Sequence, residues 1–404
     1  MFPLDRDRVD ASESAMLMPM KMVNPTMNYR WGSSTQLYDY LGTDIQQEPL
    51  AEVWMGAHHR APSRVMRNGV AHRLNDLIRT NCIDFMGPVF GQKYDSLPFL
   101  MKILAVDQPL SIQCHPNETQ AIAGFESEEA LGISTTARNR SFVDRNGKPE
   151  FVYALTAFEA LKNVLPASDI RRNFHTVISG LDQQFLGPLK LGDTRGFLSN
   201  LLRLRPAQSK ALILAALKHP RWSGMVSRLH AAHPFDVGAL APLFMYYRTL
   251  KPGQAFFVET GQPHVYLKGL AVEVMGNSDN VIRGALTHKH VDPSAFVSHI
   301  RDDGDAFELE QPVVMTSNEN HYPCLGSQFT VSCGELTQRG QQLSAVGPQI
   351  VLCQEGRMGL SVKNEWEGAC AQGESVFIPG GQRSCHATGS GRYIRVAHRF
   401  LPAP

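Results

Sequence analysis

Hydrophobic and polar positions change rhythm twice along the 404-residue chain. From about residue 27 to 160, apolar runs alternate with turn residues. The clearest case is 96–116, SLPFLMKILAVDQPLSIQCHP. Here an apolar run is broken by Asp107-Gln108-Pro109 and gives way to alternation through Ser111, Gln113 and His115. Runs of this kind predict strands. Between 161 and 245 the period becomes helical. Ser168 stands as a predicted N-cap before DIRRNFHTVISGL, and Asp193 or Thr194 before RGFLSNLLRL. Pro206 suits the first turn of AQSKALILAALKH, and Pro242 predicts a kink in FDVGALAPLFMYY. Strand patterning returns near Leu250 and continues after Asp305 in FTVSCGELT, QIVLCQEGRMGLSV, ESVFIPGG and YIRVAHRF. The pattern predicts a mainly β protein with a helical insertion. Residues 1–26 are read as a loose lead-in and 27–160 with 246–304 as one β unit. Residues 161–245 form a helical domain inserted in it, and 305–404 a second β unit.

An internal repeat supports two β units. Gly253-Gln-Ala-Phe-Phe-Val-Glu259-Thr-Gly261-Gln-Pro-His264 is echoed by Gly373-Glu-Ser-Val-Phe-Ile-Pro379-Gly-Gly381-Gln-Arg-Ser384. Both resemble the second signature of cupin (jelly-roll-like) barrels, G-x5-P-x-G-x2-H, in which a histidine follows a tight turn into the barrel. The first copy keeps the histidine and the second ends in serine. The implied picture is two cupin barrels, of which only the first binds a metal.

Composition narrows the function classes. With 39 Lys+Arg against 38 Asp+Glu the net charge is +1, which gives no support for a nucleic-acid partner. No apolar run approaches the roughly 18–20 residues of a membrane span. The N-terminal MFPLDRDRVDASES precedes no apolar signal region, so a cytoplasmic protein is expected. The seven cysteines form no C-x-x-C and are read as free, mostly buried thiols.

Candidate chemistry gathers in the first β unit. Gln113 and His115 lie two apart, so period 2 puts them on one face of a strand. Glu150 opens another β segment, and His264 closes the first repeat copy. Two imidazoles, a carboxylate and an amide can surround a divalent cation while leaving a position open. That set suits catalytic Zn²⁺ and equally a non-haem Fe(II) centre. Just downstream lie Glu273, Asp279, Arg283 and Lys289. Arg283, Lys289 and Lys148 could bind a phosphate or carboxylate, the arginine through its bidentate fork and the lysines as point charges. His58-His59 and His288-Lys289-His290 are read as loop or substrate-facing positions.

Five separated runs then resemble, in order, the type I zinc-dependent mannose-6-phosphate isomerases. They are NYRWGSS (28–34), AEVWMGAHHRAPS (51–63), residues 97–121, KPEFVYALTAFEAL (148–161) and residues 252–292. The resemblance implies one zinc per chain, held by Gln113, His115, Glu150 and His264, with Arg283 important for catalysis. Lys148, Glu273, Asp279, Ser111 and Lys289 match pocket positions, and Trp31 is read as shaping the pocket. It also implies a catalytic cupin, a helical domain and a metal-free second cupin. The implied reaction is the reversible isomerisation of mannose 6-phosphate and fructose 6-phosphate through an enediol(ate). Glu273 is the first candidate proton carrier, with Lys148 and Asp279 behind it, and Lys289 is assigned to phosphate. The implied partner is a small sugar phosphate, and the chain is expected to act as a monomer. The pattern departs from the family at residue 147, where Gly replaces the usual His before Lys148. That opens a different sugar-phosphate preference as one alternative, and an iron cupin oxygenase is another.

Overall fold

The computed structural model describes residues 17–67, 69–178, 184–301, 306–316, 318–343, 347–363, 365–381 and 385–399. Its strands form two antiparallel sheets. In the first, strands Met245–Leu250, Phe158–Val164, His264–Gly276, Phe99–Val106, Glu52–Met55 and Thr26–Met27 lie side by side. Glu150–Ala154, Ala255–Val258, Ile112–Cys114 and Ile282–Ala285 join off this path. In the second, the C-terminal strands Gln349–Val362 and Cys385–His398 form the spine.

Alternation along the central strands separates core from chemistry. Val53 and Met55, Met101, Ile103 and Ala105, Phe151 and Tyr153, and Val272 and Val274 belong to one buried cluster. The same cluster includes Val331, Ile350, Leu352, Phe377, Ile394 and Val396 of the second sheet. The residues between them, Glu52, Trp54, Lys102, Glu150 and Glu273, line a cavity beyond the opposite face. Successive side chains of a strand point to opposite faces, so one sheet serves both purposes.

The strand His264–Gly276 changes partners midway. Its first half pairs with Phe158–Val164, and its second with Phe99–Val106 and Glu150–Ala154. The register shifts between Tyr266 and Lys268. Gly269 has φ +119°, and a Cβ there would lie 2.4 Å from the Ala157 carbonyl oxygen. A corner of this kind needs glycine. It places Glu273 in the wall of that cavity and His264 beneath it, against Glu150, from one strand.

The helical block holds Ala167–His175, Thr194–Leu202, Pro206–Leu217 and Ser223–Ala232, with 3₁₀ segments Gln184–Leu191 and Val237–Leu243. Asp193 is the N-cap of the second helix, accepting from the Gly196 N–H, and Pro206 opens the third. Two helix expectations are corrected. Ser168 is not the cap, because Pro166 is the N-cap and the first helix begins at Ala167. Pro242 sits inside a 3₁₀ segment and kinks no α-helix.

Element boundaries also differ from the sequence pattern. Met20–Val23 is no loose lead-in but a strand between Ser375–Ile378 and Arg64–Arg67. Its period-2 residues Met20 and Met22 are buried in the shared core. The strand Phe158–Val164 runs across the expected start of the insertion at 161. Residues 1–16 and the boundary at 305 lie outside the described residues. All seven cysteines are free thiols, and all but Cys82 are buried. Among the described residues no helix is long and apolar enough to cross a membrane.

Candidate metal and anion site

A cavity of about 570 Å³ opens on the chemical face of the first sheet. Trp31, Ser111, Gln113, Lys148, Glu150, Glu273, Asp279, Arg283 and Lys289 all line it. His115 and His264, almost fully buried, lie beneath and touch Glu150. The structure therefore brings together the expected metal ligands, the acids and cations and the two wall residues, whereas His59 and His290 are exposed and outside the lining.

Backbone pairing sets the local order. Gln113 is the cross-strand partner of both His264 and Arg283. Directly opposed residues share a face, so three polar side chains from three segments meet. The His115 Nδ1 lies 2.8 Å from the Asn280 carbonyl, and the His264 Nδ1 lies 3.0 Å from the Gln262 carbonyl. A carbonyl only accepts, so each Nδ1 carries the proton and each Nε2 presents a bare lone pair.

Those lone pairs converge on Glu150. His115 Nε2 is 3.0 Å from Oε1, and His264 Nε2 is 3.3 Å from Oε2. The Gln113 amide nitrogen lies 3.3 Å from His264 Nε2, and rotating that amide by half a turn presents its carbonyl oxygen instead. The ligand atoms of His115, Glu150 and His264 all fall within 4.8 Å of one another. Three buried acceptors facing one another call for a cation, and the donor set suits a single divalent ion.

Electrostatics favour the same reading. Burial first, then the Lys148 charge, pushes His115 down to about 4, so its imidazole is neutral. For Glu150, burial alone would raise the pKa. The Lys148 ammonium, 3.0 Å from Oε1, and the His115 contact outweigh it and hold the carboxyl well below its ordinary value. The Tyr266 hydroxyl donates to Oε2 at 2.6 Å.

Beside this group lies a second buried set that sequence reasoning missed. Lys102 Nζ sits 3.3 Å from Glu273 Oε2, 3.7 Å from Glu52 Oε1 and 4.9 Å from the centre of a Trp54 ring. The Trp54 indole N–H donates to Glu52 Oε2 at 2.6 Å. Burial and the Glu150 charge push Glu273 up to about 7 despite Lys102. A signal was present: Lys102 interrupts the otherwise wholly apolar run Phe99–Val106. A lone lysine in such a run needs a carboxylate partner.

At the mouth, Asp279 receives three cationic or imidazole neighbours. Arg60 Nη1 is 3.3 Å from Oδ1, and His58 and His59 Nε2 are 3.5 and 3.7 Å from Oδ2. His58 and His288 both line the cavity, in keeping with their reading as substrate-facing positions. Gly147 is not in the lining, and a side chain there would begin 3.0 Å from the Glu118 backbone nitrogen.

Comparisons with known proteins agree with this geometry. The profile "Phosphomannose isomerase type I, catalytic domain" matches residues 20–166. The mannose-6-phosphate isomerase of Salmonella typhimurium is 34% identical, over 94% of this chain and all of that protein. The Escherichia coli mannose-6-phosphate isomerase is 33% identical over the same shares. A crystal structure of the Salmonella enzyme, bound to fructose 6-phosphate and zinc, superposes with a TM-score of 0.88 at 33% identity. It covers 95% of this chain and all of that one. With the cavity and its buried His-Glu-His group in place, these likenesses show that the chain belongs to the type I mannose-6-phosphate isomerase family.

Proposed function

We propose that the protein interconverts mannose 6-phosphate and fructose 6-phosphate in this cavity, with one zinc ion held by Gln113, His115, Glu150 and His264. The observation that carries this reading is the buried three-acceptor group opening onto a cavity that also holds Arg283 and Lys289. Among the described residues neither cation is paired with a carboxylate, as suits a site awaiting an anion.

The reaction moves a proton between C2 and C1 of the open-chain sugar. The chemistry that zinc supplies when held there is Lewis-acid stabilisation of charge developing on a sugar oxygen. Glu273 carries the proton: its carboxyl, up to about 7, is available in both forms near neutrality. Lys102 positions that carboxyl from the neighbouring strand. Lys148 keeps Glu150 ionised and faces the cavity as a donor, and Arg283 orients and stabilises the sugar oxygens. Lys289 takes phosphate, Ser111 and Trp31 shape the wall, and Asp279 stands as a secondary proton carrier.

The wider architecture is read as two cupin units, 27–160 with 246–304 and 305–404, with 161–245 as the helical domain between them. Both repeat copies build a strand, a turn and a strand, at Ala255–Val258 to His264 and at Ser375–Ile378 to Cys385. Ser384, the basis for a metal-free second unit, lies outside the described residues. The chain is read as acting as a monomer, and light scattering tests it. Free buried thiols support a cytoplasmic setting.

The decisive experiment is a coupled isomerase assay over a panel of sugar 6-phosphates with bound metal quantified. Chelation should abolish activity and Zn²⁺ should restore it. Full activity in metal-free protein, or iron with oxygen consumption, would sink the zinc-isomerase reading. Preference for another sugar phosphate is the alternative that Gly147 motivates, and the same panel decides it.

A further inference from the structure

Among the described residues the helical block gives the cavity only Ala232 and His233, and its role there is otherwise unaccounted for. His233 is the C-cap of helix Ser223–Ala232, its N–H donating to the Leu229 carbonyl. Three residues on, the Asp236 N–H donates to the His233 carbonyl at 3.2 Å. The Asp236 carboxylate accepts from the Gly238 N–H at 2.8 Å and the Thr287 N–H at 3.4 Å. One turn of the helical block is thereby fastened to the loop that carries His288 and Lys289.

The fastening is tight. A Cβ at Gly238 would lie 2.7 Å from the Leu286 side chain. Leu286 itself holds φ +54°, a left-handed conformation that a leucine adopts only where its surroundings impose it. The Thr287 hydroxyl then accepts from the Lys289 N–H at 3.1 Å. The result sets the His233 and His288 rings 5.1 Å apart on the cavity rim beside Lys289.

We propose that His233 and His288 complete, with Arg283 and Lys289, a cradle for the phosphate group of the substrate, so that the helical domain takes part in recognising it. The proposal rests on the sugar-phosphate reading above. Among the described residues neither Arg283 nor Lys289 is paired with a carboxylate, and both face the cavity. The His233 Nδ1 is buried with no hydrogen-bond partner. Lys289 is pushed below its ordinary pKa by burial and by the Arg283 and Arg60 charges. Burial also lowers His233, together with the His288 ring and against the Asp236 carboxylate and a hydrogen bond donated to the Pro109 backbone. A phosphate monoester brings close to two negative charges and three acceptor oxygens, which relieve the repulsion and favour a proton on the orphaned nitrogen, so that it donates once the anion is bound.

The test uses the zinc-loaded full chain and the variants His233→Ala and His288→Ala. Steady-state kinetics with mannose 6-phosphate are paired with inhibition by inorganic phosphate. Each variant should raise KM and the inhibition constant for inorganic phosphate in parallel, by roughly threefold to thirtyfold. The turnover number should move far less, and His288→Lys should recover most of the lost affinity. Unchanged KM and phosphate inhibition in His288→Ala, whose side chain is exposed and whose folding is not at risk, would overturn the cradle. So would a loss confined to turnover. If the unaltered protein does not isomerise any sugar phosphate, the functional reading falls. Calorimetric titration of the same three proteins with inorganic phosphate still decides the cradle.

Discussion

Arg283 lies opposite Gln113 in the sheet, with its guanidinium half-buried and its pKa lowered by burial alone. An unpaired cation so placed is worth most to charge that appears only in the transition state. Arg283→Ala should therefore lower turnover by roughly 10²–10³-fold with zinc content unchanged, as steady-state kinetics and metal analysis would show. Unaltered turnover would leave Arg283 a wall residue. Glu273 makes a separate case. Its neighbours Lys102 and Glu52 approach from strands far apart in sequence, and their mutual arrangement sets the carboxyl. Glu273→Gln keeps the shape and removes the titration, so it should cost roughly 10²–10⁴-fold in turnover while mannose 6-phosphate still binds. A full-rate Glu273→Gln enzyme would move the proton to Lys148 or Asp279.

The strand His264–Gly276 decides how a metal group and a proton carrier come to face one cavity. Its corner depends on Gly269, where a methyl group would press on the Ala157 carbonyl and the Phe158 backbone. Gly269→Ala should destabilise the fold by about 1–3 kcal/mol, read as a lower unfolding midpoint in denaturant. It should also weaken zinc retention, because His264 and Glu150 hang from the two halves that the corner joins. An unchanged midpoint with full zinc content would show that the corner is set elsewhere. The helix caps were readable at Asp193 and Pro206, where one residue and its immediate neighbours suffice. Ser168 misled because the chain enters the helix two residues earlier, with Pro166 as N-cap, and Ser168 falls inside the first turn.

Across the molecule the two sheets share one buried cluster, so neither covers its own inner face alone. Ending the chain before residue 305 would expose Phe85, Met101, Val272 and their neighbours. We expect such a truncated protein to be insoluble or to lack a cooperative unfolding transition. A folded, active fragment in circular dichroism and assay would contradict the shared core. Acid should act on the C-terminal sheet through Glu319. Burial would raise this carboxyl, but Arg395 at 2.6 Å and the Tyr393 hydroxyl outweigh it and depress the pKa. A depressed carboxyl stabilises the fold above its unfolded pKa of about 4.3 and loses that contribution as pH falls through the folded value. The stability gap between the natural protein and Glu319→Gln should be constant from pH 7 to 5 and close below about pH 4. A gap that persisted at pH 3 would exclude the linkage.

What was legible in the amino-acid sequence was whatever depends on near neighbours. Period 2 placed Gln113 with His115, period 3.6 marked the helical block, and the repeated glycine turns marked His264. The five family-like runs then tied these to a metal, a sugar phosphate and the residues around them. Tertiary structure alone decided which distant charges share a buried space. Lys102 meets Glu52 and Glu273, Met20 and Met22 complete a C-terminal sheet, and His233 reaches the loop of His288. Each of these contacts joins residues from different segments. Their energies depend on desolvation and on the register of strands, which no local pattern contains.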